Sequence, residues 1–374
     1  MRAMLNPARP RVIVALSGGV DSAVAALLLM EHGWDVQGLF MSNWDEDDDA
    51  YCTAAQDYQD ARAVARELRI PLHRVCFAAE YRARVFAHFL DEQRAGRTGN
   101  PDILCNREIK FGLAQRYAQR LGAAWFATGH YARLVRDAAG VELHKAKDRS
   151  KDQSYFLHAV GRAQLERTLM PLGTLEKTAV HARARRAGLP VFDKPDSTGI
   201  CFIGERPFRE FLLRFLPRNP GSIVTPDNVE LGTHEGLGLY TLGQRAGLAI
   251  GGRRGFAAAP WFVAAKDAER NALIVVQGHN HPLLSSGELT TKLVHWLIEP
   301  PAGAFHARVK VRYRQADQAA RIDPRPDGTV HVRFEEPQRA VTPGQYAVLY
   351  DGERCIGGAI ISATTPLQRL NVAA

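Results

Sequence analysis

The sequence predicts an α/β protein in three parts: an N-terminal domain on a parallel sheet, a small glycine-rich middle domain and a C-terminal all-β barrel. Residues 11–130 alternate short apolar strands with amphipathic helices, which is typical of a parallel α/β sheet. Glycine becomes frequent in residues 236–255. From about Phe208 onward, period-two strand patterns replace helical ones. We expect domains at 1–205, 206–283 and 284–374.

The elements follow in chain order from the same patterns. Apolar runs predict strands at 12–16, 36–41, 72–77 and 124–128, and amphipathic runs predict helices at 22–32, 54–68, 81–93 and 107–121. Further strand signals lie at 307–313, 329–334 and 346–362, with Asp-Gly turns at 327–328 and 351–352. These short strands with tight turns predict the barrel.

Composition narrows the class of protein. The chain has 374 residues and a formal net charge of +8, which is compatible with a polyanionic partner. No apolar run approaches the ~18 residues that cross a bilayer, and the first ten residues lack the apolar core of a secretory signal. We therefore expect a cytoplasmic protein without a membrane partner.

The five cysteines form no CxxC pair and no Cys/His cluster with zinc spacing, so we expect no protein-bound metal site. Scattered cysteines in a long cytosolic chain favour a catalytic role over a disulfide scaffold. Three of them are interpreted as small buried hydrophobic residues: Cys52, Cys76 and Cys355.

A candidate phosphate-binding loop lies between the first strand and the first helix. Its glycine pair lets the backbone turn tightly, so that successive N–H groups and the helix start face an anion. Ser17 and Ser22 can add hydroxyl donors, and Asp21 could hold a magnesium ion that bridges phosphates. The loop is neither a Walker A nor a dinucleotide fingerprint, and a plain strand-to-helix turn is the alternative. The candidate contacts are Ala15, Leu16, Ser17, Gly18, Gly19, Val20, Asp21 and Ser22.

Cys105 lies in a polar segment that precedes a predicted helix. The helical periodicity starts after Asn106, which places Cys105 at or beside a helix N-terminus, where a thiolate is favoured. Arg107 and Lys110 add positive charge, and Asp102 could orient a substrate or move a proton. Cys201 lies in a glycine-bounded segment, and its residues alone leave its role open.

One predicted strand, 306–315, carries positive charge on one face. Alternation directs four basic side chains to the same side: Arg308, Lys310, Arg312 and Arg314. Together with Arg253 and Arg254, this favours a contact with a phosphate backbone over a solvated face.

The string SGGVDS after a strand resembles the pyrophosphatase loop (PP-loop) of the ATP-pyrophosphatase group. Members of that group cleave ATP between its α and β phosphates and adenylate a carbonyl-type oxygen. The resemblance implies a PP-loop domain of the adenine nucleotide hydrolase-like kind. In this group the end of the second strand frames the adenine, which implies Met41 as a contact; ordinary core is its alternative.

The whole chain resembles a narrower family, the bacterial tRNA-specific 2-thiouridylases. The similarity runs from about Val12 to Ile361. It is carried, in this order, by LSGGVDS, GLFMSNWDEDD, NPDILCNREIKF, ATGHYARL, KDQSYFL, DSTGICFIGER, YTLGQRAGL and PGQYAVLYDGE.

The resemblance implies roles for matching positions. Cys105 would be the nucleophile, and Cys201 would carry a persulfide and form a disulfide with it. The target base would meet Asn100, Pro101 and Asp102, and ATP would meet Gly129. The implied tRNA contacts are His130, Lys151, Asp152, Gln153, Arg312, Tyr313 and Gln345.

The implied reaction is 2-thiolation of the wobble uridine in the tRNAs for lysine, glutamate and glutamine. ATP, with Mg²⁺ on its phosphates, would activate the uracil oxygen, and the sulfur donor would be a cysteine desulfurase or a small sulfur-relay protein. The base would have to leave its stack to reach the cysteines. Whether the persulfide attacks the base directly or releases hydrosulfide stays open.

Three alternatives remain at this stage. A synthetase of the same ATP group would amidate a small molecule and would need neither cysteine. A non-catalytic RNA-binding protein would not need the phosphate loop. A thiolase with an iron–sulfur cluster would need cysteines at ligand spacing, which the sequence lacks.

Overall fold

The computed structural model describes residues 9–44, 54–195, 208–252 and 254–368. These residues divide into two compact units. Unit 1 contains the described residues up to Phe86, those of 101–195, and Glu353–Ile356. Unit 2 contains Ala87–Asn100, the described residues from 208 to Gly352, and those from Gly357 onward. Cys52, Cys201 and Arg253 lie outside the described residues.

The α-helices among the described residues are α1 Val20–Glu31, α2 Ala54–Glu67, α3 Ala78–Tyr81, α4 Ala87–Arg94, α5 Pro101–Leu104, α6 Gln115–Arg120, α7 Ser154–Leu157, α8 Arg162–Glu166, α9 Lys177–Arg186 and α10 Phe208–Leu213. Two π-helical segments, Arg82–Phe86 and Cys105–Ala114, join α3 to α4 and α5 to α6. Short 3₁₀ turns lie at Pro171–Thr174, Leu237–Leu239 and Pro282–Leu284.

The described strands of the first half are β1 Arg11–Ala15, β2 Asp35–Ser42, β3 Leu72–Cys76, β4 Trp125–Ala127, β5 Ala132–Asp137, β6 Gly140–Lys145 and β7 Thr168–Leu169. Those of the second half are β8 Gly221–Val224, β9 Glu230–His234, β10 Trp261–Asp267, β11 Ala272–Gln277, β12 Ser285–Thr291, β13 His295–Trp296, β14 Phe305–Lys310, β15 Gln318–Pro324, β16 Val330–Arg339, β17 Tyr346–Asp351 and β18 Arg354–Pro366.

Unit 1 is built on a five-stranded parallel sheet in the order β3-β2-β1-β4-β7, as the alternating pattern predicts. Val12, Ile13 and Val14 of β1 are fully buried, because the central strand is covered on both faces. The chain leaves β1 for β2 on one side, and β4 lies on the other. The crevice at the carboxyl ends of β1 and β4 is therefore a topological switch point, where ligands bind in such sheets.

The helix around Cys105 begins earlier than predicted. Helical residues start at Pro101 rather than after Asn106, because proline suits the first helical turn. Residues 105–114 then wind as a π-helix. A Cβ on Gly112 would lie 2.8 Å from the carbonyl oxygen of Arg107, five residues back, so this wider turn requires a glycine. Cys105 consequently lies in the second turn, and its expected place at a helix N-terminus is wrong.

Unit 2 contains two β structures, in agreement with the predicted middle domain and barrel. A four-stranded sheet has the order β10-β11-β8-β9. Six strands close on themselves as β12-β16-β15-β14-β17-β18, with β18 pairing back to β12, and form an antiparallel barrel. The Asp-Gly turns lie at the predicted places, with positive φ at Gly328 and Gly352.

The predicted basic strand 306–315 is partly wrong. β14 ends at Lys310, and residues 311–315 leave the sheet. The Lys310 side chain is buried, with its Nζ 5.6 Å from the ring centre of Tyr350. Arg308 is exposed and pairs with Asp317 at 3.2 Å. The four basic side chains therefore do not form one charged face.

Candidate nucleotide site and cysteine centre

The loop between β1 and α1 has the shape of an anion site. Gly18 adopts a φ of +80°, and a Cβ there would overlap the backbone carbonyl of Asp57, so both the turn and the packing require glycine. Ser22 Oγ donates to the carbonyl of Gly19 at 3.0 Å and accepts from the Ser17 amide at 3.2 Å. These bonds hold the loop in a conformation that leaves the start of α1 open to an anion.

Gly129 follows β4 and lies against the same helix start. A Cβ at this position would come within 2.8 Å of the Ser22 amide nitrogen and 2.9 Å of the Asp21 carbonyl carbon. The backbone after β4 can therefore approach α1 only because residue 129 is glycine. The family resemblance implies that Gly129 and the loop belong to one ATP site. In the structure the two lie side by side.

Asp21 is engaged by two side chains that the sequence did not predict. The Tyr131 hydroxyl donates to Asp21 Oδ1 at 2.7 Å, and Lys177 Nζ donates to both carboxylate oxygens at 2.8 and 2.9 Å. A magnesium ion on Asp21 would have to displace the Lys177 ammonium, so this donor set does not fit a metal held by the protein. Among the described residues, no group of three or more His, Cys, Asp or Glu could hold a metal ion.

Lys194 supports the loop from the other side. Its Nζ donates to the Gly18 carbonyl at 3.1 Å, to Asp57 Oδ1 at 2.7 Å and to Asp60 Oδ2 at 2.5 Å. Burial lowers the pKa of Lys194, but its bonds to the two aspartates outweigh burial and raise the pKa above its usual 10.5. The ammonium is therefore a permanent charge that fixes the loop to α2.

Cys105 is fully buried. Arg107 pairs with its neighbour Glu108, with 2.8 Å between Nε and Oε1, so the glutamate carboxylate partly neutralises its positive charge. Asn106 donates from Nδ2 to the Phe156 carbonyl at 3.2 Å and ties this helix to α7. Pro101 is buried and Asp102 is half-buried in the first turn of the same helix.

The other cysteines divide differently from the expectation. Cys355 is buried, as predicted, but Cys76 is exposed, and its interpretation as a core residue is wrong. Cys76 ends β3, where the strand leaves the sheet core. Cys201, the predicted partner of Cys105, lies outside the described residues.

Several implied tRNA contacts are engaged inside the protein. Asp152 Oδ1 accepts from the Ala146 amide at 2.9 Å, and Gln153 Oε1 accepts from the Tyr131 amide at 2.9 Å. His130 is buried, and burial followed by the nearby Lys110 charge lowers its pKa well below 6.5, so its ring is neutral. Lys151 is half-buried.

In unit 2, Arg312 binds backbone and side-chain oxygens rather than standing free. Its Nη2 donates to the carbonyls of Leu242 and Ala340 at 2.9 and 3.0 Å. Tyr313 beside it is half-buried. Asn100 and Gln345 are hydrogen-bonded to each other, with 3.4 Å between Nδ2 and Oε1.

Three family models match the chain in succession. Residues 10–205 match the tRNA methyl transferase HUP domain, 209–277 the tRNA methyl transferase PRC-barrel domain and 286–361 the aminomethyltransferase β-barrel domain. The fold is accordingly a PP-loop domain, a PRC-barrel middle domain and a closed antiparallel barrel.

Similar proteins cover nearly the whole chain. The chain is 56% identical to the tRNA-specific 2-thiouridylase MnmA of Chromohalobacter salexigens, over 95% of this chain and 93% of that protein. It is 54% identical to the protein of the same name from Marinobacter nauticus, over 96% and 93%. The chain belongs to the tRNA-specific 2-thiouridylase family.

A 4-thiouridine synthetase solved with RNA and bound ATP is a remote structural neighbour of this 2-thiouridylase-family chain. It shows 20% identity and a TM-score of 0.37, and the match covers 56% of this chain and 50% of that one. This likeness is too remote to bear on function. No helix among the described residues is long and apolar enough to cross a membrane.

Sequence reasoning missed Tyr131, Lys177 and Lys194 of this 2-thiouridylase-family site. Tyr131 and Lys177 lie 110 and 156 positions from Asp21 along the chain, so no local pattern links them to the loop. Tyr131 lies within the family motif ATGHYARL, and that motif was the one sequence signal that could have pointed to it. Neither lysine lies in a quoted string.

Proposed function

We propose that the protein is an ATP-dependent tRNA-uridine 2-sulfurtransferase that acts on the wobble uridine of the tRNAs for lysine, glutamate and glutamine. The observation that carries this proposal is the 56% identity, over 95% of the chain, to a protein named for tRNA 2-thiolation. The phosphate-loop geometry and the presence of Cys105 in the same unit as that loop support it.

The nucleotide site would use backbone and charge together. The amides at the start of α1 would bind the phosphates, Gly129 would allow the nucleotide to approach the helix start, and Met41 would border the adenine. Mg²⁺ would be bound to the ATP phosphates and would enter the site with ATP as part of the substrate. In adenylation, the uracil O2 attacks the α-phosphorus, pyrophosphate leaves, and the proton on N3 passes to a base. Asp102, half-buried beside Cys105, is our candidate for that base.

Sulfur transfer would use both cysteines. Cys201 carries a persulfide from a cysteine desulfurase or sulfur-relay protein, and the thiolate of Cys105 attacks its inner sulfur. A Cys105–Cys201 disulfide forms, and the outer sulfur leaves as hydrosulfide, which attacks C2 and expels AMP. If the persulfide attacks C2 first, Cys105 then breaks the S–S bond with the same products. An external thiol must reduce the disulfide before the next turnover.

The tRNA would meet both units. We propose contacts at Asn100, Pro101 and Asp102 for the target base. Further tRNA contacts are proposed at His130, Lys151, Asp152, Gln153, Arg312, Tyr313 and Gln345. For the buried His130 and Asp152, contact with RNA would require local rearrangement. The domain boundaries 1–205, 206–283 and 284–374 and a cytoplasmic location belong to the same proposal.

The test is nucleoside mass analysis of unmodified tRNA incubated with the protein, MgATP and a persulfide source. We expect 2-thiouridine with the wild-type protein and none with Cys105→Ser or Cys201→Ser. Cys355→Ser should keep the product, because Cys355 is a buried residue of β18 that pairs with Leu143 and has no role in the proposed chemistry. Formation of AMP and pyrophosphate with a small acceptor, without thiolated tRNA, would instead establish the synthetase alternative.

A further inference from the structure

The PRC-barrel middle domain contains a cavity that the proposed chemistry does not use. Its volume is about 360 Å³, which lies in the range of small-ligand sites. This glycine-loop cavity is lined by residues 247–252 on one side and by residues 257–260 on another. The buried side chains of Leu248 and Trp261 supply its apolar surface. All of these residues belong to unit 2.

The loop 247–252 is fixed by two of its own side chains. Leu248 is buried in the core of the four-stranded sheet, and Ile250 packs against the same core. Ala249 between them has a φ of +53°, in the left-handed region that a residue with a Cβ adopts only at a cost. The remaining residues of the loop are glycines. Leu248 and Ile250 therefore impose a turn in which the loop lines the cavity largely with backbone.

Among the residues that the structure describes, nothing in the packing requires Gly251 or Gly252 to be glycine. Neither has a φ in the left-handed region, and a Cβ on either would meet nothing within 4 Å. Gly221 of the same domain differs, because a Cβ there would overlap the carbonyl of Asn271. The amides of Gly251 and Gly252 donate no hydrogen bond within the described part of the chain. Two consecutive bare amides beside a cavity are suited to an anion.

Polar side chains complete the site. Gln277 Nε2 donates to the carbonyls of Ala257 and Ala259 at 2.7 and 3.0 Å, which leaves Oε1 as the atom that can accept from a ligand. Arg245 lines the cavity, and Arg254 follows the loop along the chain. Both arginines are exposed, and neither has a carboxylate partner among the described residues. The site thus combines apolar surface, one oriented acceptor and unneutralised positive charge.

We propose that the glycine-loop cavity binds one unstacked nucleotide of the tRNA, other than the target uridine. This inference rests on the proposed function. The base would lie against Leu248 and Trp261, and an N–H on its edge would donate to Gln277 Oε1. Its phosphate would accept from the amides of Gly251 and Gly252. Apolar surface for a base beside donors for the backbone is the usual arrangement for unpaired RNA.

The charges favour a nucleotide within an RNA strand over a free one. Arg245 lines the cavity, but Arg254 does not, so the two arginines offer charge both at the cavity and beyond it. A single phosphate would use one of them, whereas successive phosphates of a strand would use both. Such contacts position an RNA without reading its sequence.

The first test fills the cavity from its glycine side. Gly251→Leu should fold normally, because space is open at this position, and should weaken tRNA binding about tenfold, the loss of one base contact. Gly303→Leu is the control, since a Cβ there also meets nothing within 4 Å and residue 303 does not line the cavity. Filter binding gives the Kd, and the melting temperature reports folding. A wild-type Kd in Gly251→Leu would overturn the proposal.

The second test adds no bulk. Arg245→Met removes one phosphate contact, so the slope of log Kd against log salt concentration should fall by about one. Arg325→Met, at an exposed position between β15 and β16, removes the same charge elsewhere in unit 2 and should keep the slope. Equal slopes for the two variants would also overturn the proposal.

Titration with uridine 5′-monophosphate separates the two sources of a nucleotide. The free nucleotide lacks a second phosphate and should bind only in the millimolar range. Micromolar binding by the wild-type protein that Gly251→Leu abolishes would assign the cavity to a free nucleotide and overturn its assignment to RNA.

The outcomes also separate this inference from the proposed function. A protein that thiolates tRNA but binds it equally as wild type and as Gly251→Leu retains its function and loses the cavity site. A protein that binds tRNA tenfold more tightly as wild type, yet forms no thiolated nucleoside, retains the cavity site and loses the proposed function.

Discussion

Lys177 Nζ lies 2.8 Å from Oδ1 and 2.9 Å from Oδ2 of Asp21, so one ammonium spans both oxygens of the carboxylate at the start of the phosphate-loop helix. The Lys177 side chain is only 11% exposed. Without this cation, the carboxylate of Asp21 would carry an uncompensated negative charge at the proposed phosphate site. The ion pair therefore sets the charge of the site.

We expect Lys177→Met to raise the Kd for ATP about tenfold, which corresponds to about 1.4 kcal/mol. Calorimetric titration with a non-hydrolysable analogue measures it. Lys147→Met is the control, because Lys147 meets Glu176 at 3.9 Å with 61% of its side chain exposed and should leave the Kd unchanged. The same Kd in both variants would remove Lys177 from the nucleotide site.

Gly129→Ala should abolish ATP binding, because its Cβ would press on the backbone of Asp21 and Ser22 at under 3 Å. The loop or the segment after β4 must then move. Gly303→Ala is the matched change, since a Cβ there meets nothing within 4 Å. Titration and melting temperature of the two variants test this; unchanged ATP affinity in Gly129→Ala would contradict the close packing.

The parallel sheet, the barrel and the phosphate loop could be predicted from sequence, because the pattern that signals each strand or loop lies within a few neighbouring residues. The apolar run Val12–Val14 predicts a buried strand. The residues on either side of Gly18 predict the phosphate loop. Lys177 could not be found in this way, since its partner lies 156 positions away. The end of β14 at Lys310 was missed because alternation continues past the point where Arg312 turns to backbone carbonyls.

Arg312→Met should lower the melting temperature by several degrees, because carbonyls of two separate loops lose their common donor. Arg314→Met, at an exposed position on the same turn, should not lower the melting temperature.

If Arg314 meets a phosphate, its loss reduces the salt dependence of tRNA binding by about one ion. Calorimetry and filter binding at several salt concentrations distinguish these effects. Equal melting temperatures for both variants would show that the Arg312 bonds are dispensable.

Glu92 should make stability depend on pH. Its hydrogen bond to Arg97, opposed by burial and aided by Lys292, lowers the pKa of Glu92 below 4.5 in the folded protein. A lowered folded pKa stabilises the fold above the unfolded value and loses that contribution as pH falls through the folded one. Glu92→Gln should therefore cost about 2 kcal/mol at pH 7, and the difference should narrow in acid below about pH 4.5.

Melting temperatures at pH 7 and pH 4 measure the effect of Glu92→Gln. Glu335→Gln, at an exposed position of β16, serves as the control and should behave as the wild type at both pH values. A difference between wild type and Glu92→Gln that stays constant with pH would show that Glu92 contributes by packing and not by charge.

Cys76 should react with iodoacetamide well before Cys105 and Cys355, because it is exposed while the other two are buried. Peptide mass analysis of a timed reaction gives the order. Cys76→Ser should remove the early adduct at residue 76 and leave thiolation of tRNA intact. Early modification of Cys105 in the protein without tRNA would show that its burial is not maintained in solution.

The interleaving of the two units also constrains the order in which the polypeptide can complete its structure during synthesis. Arg354 and Cys355 pair with His144 and Leu143 of β6, so the first unit receives its last strand more than two hundred residues after β6 is made. Helix α4 leaves the ribosome early but belongs with strands that emerge much later. Both units therefore remain incomplete until the C-terminal residues have been synthesised. Fragments cut at the linear domain borders would each contain a segment that belongs to the other unit.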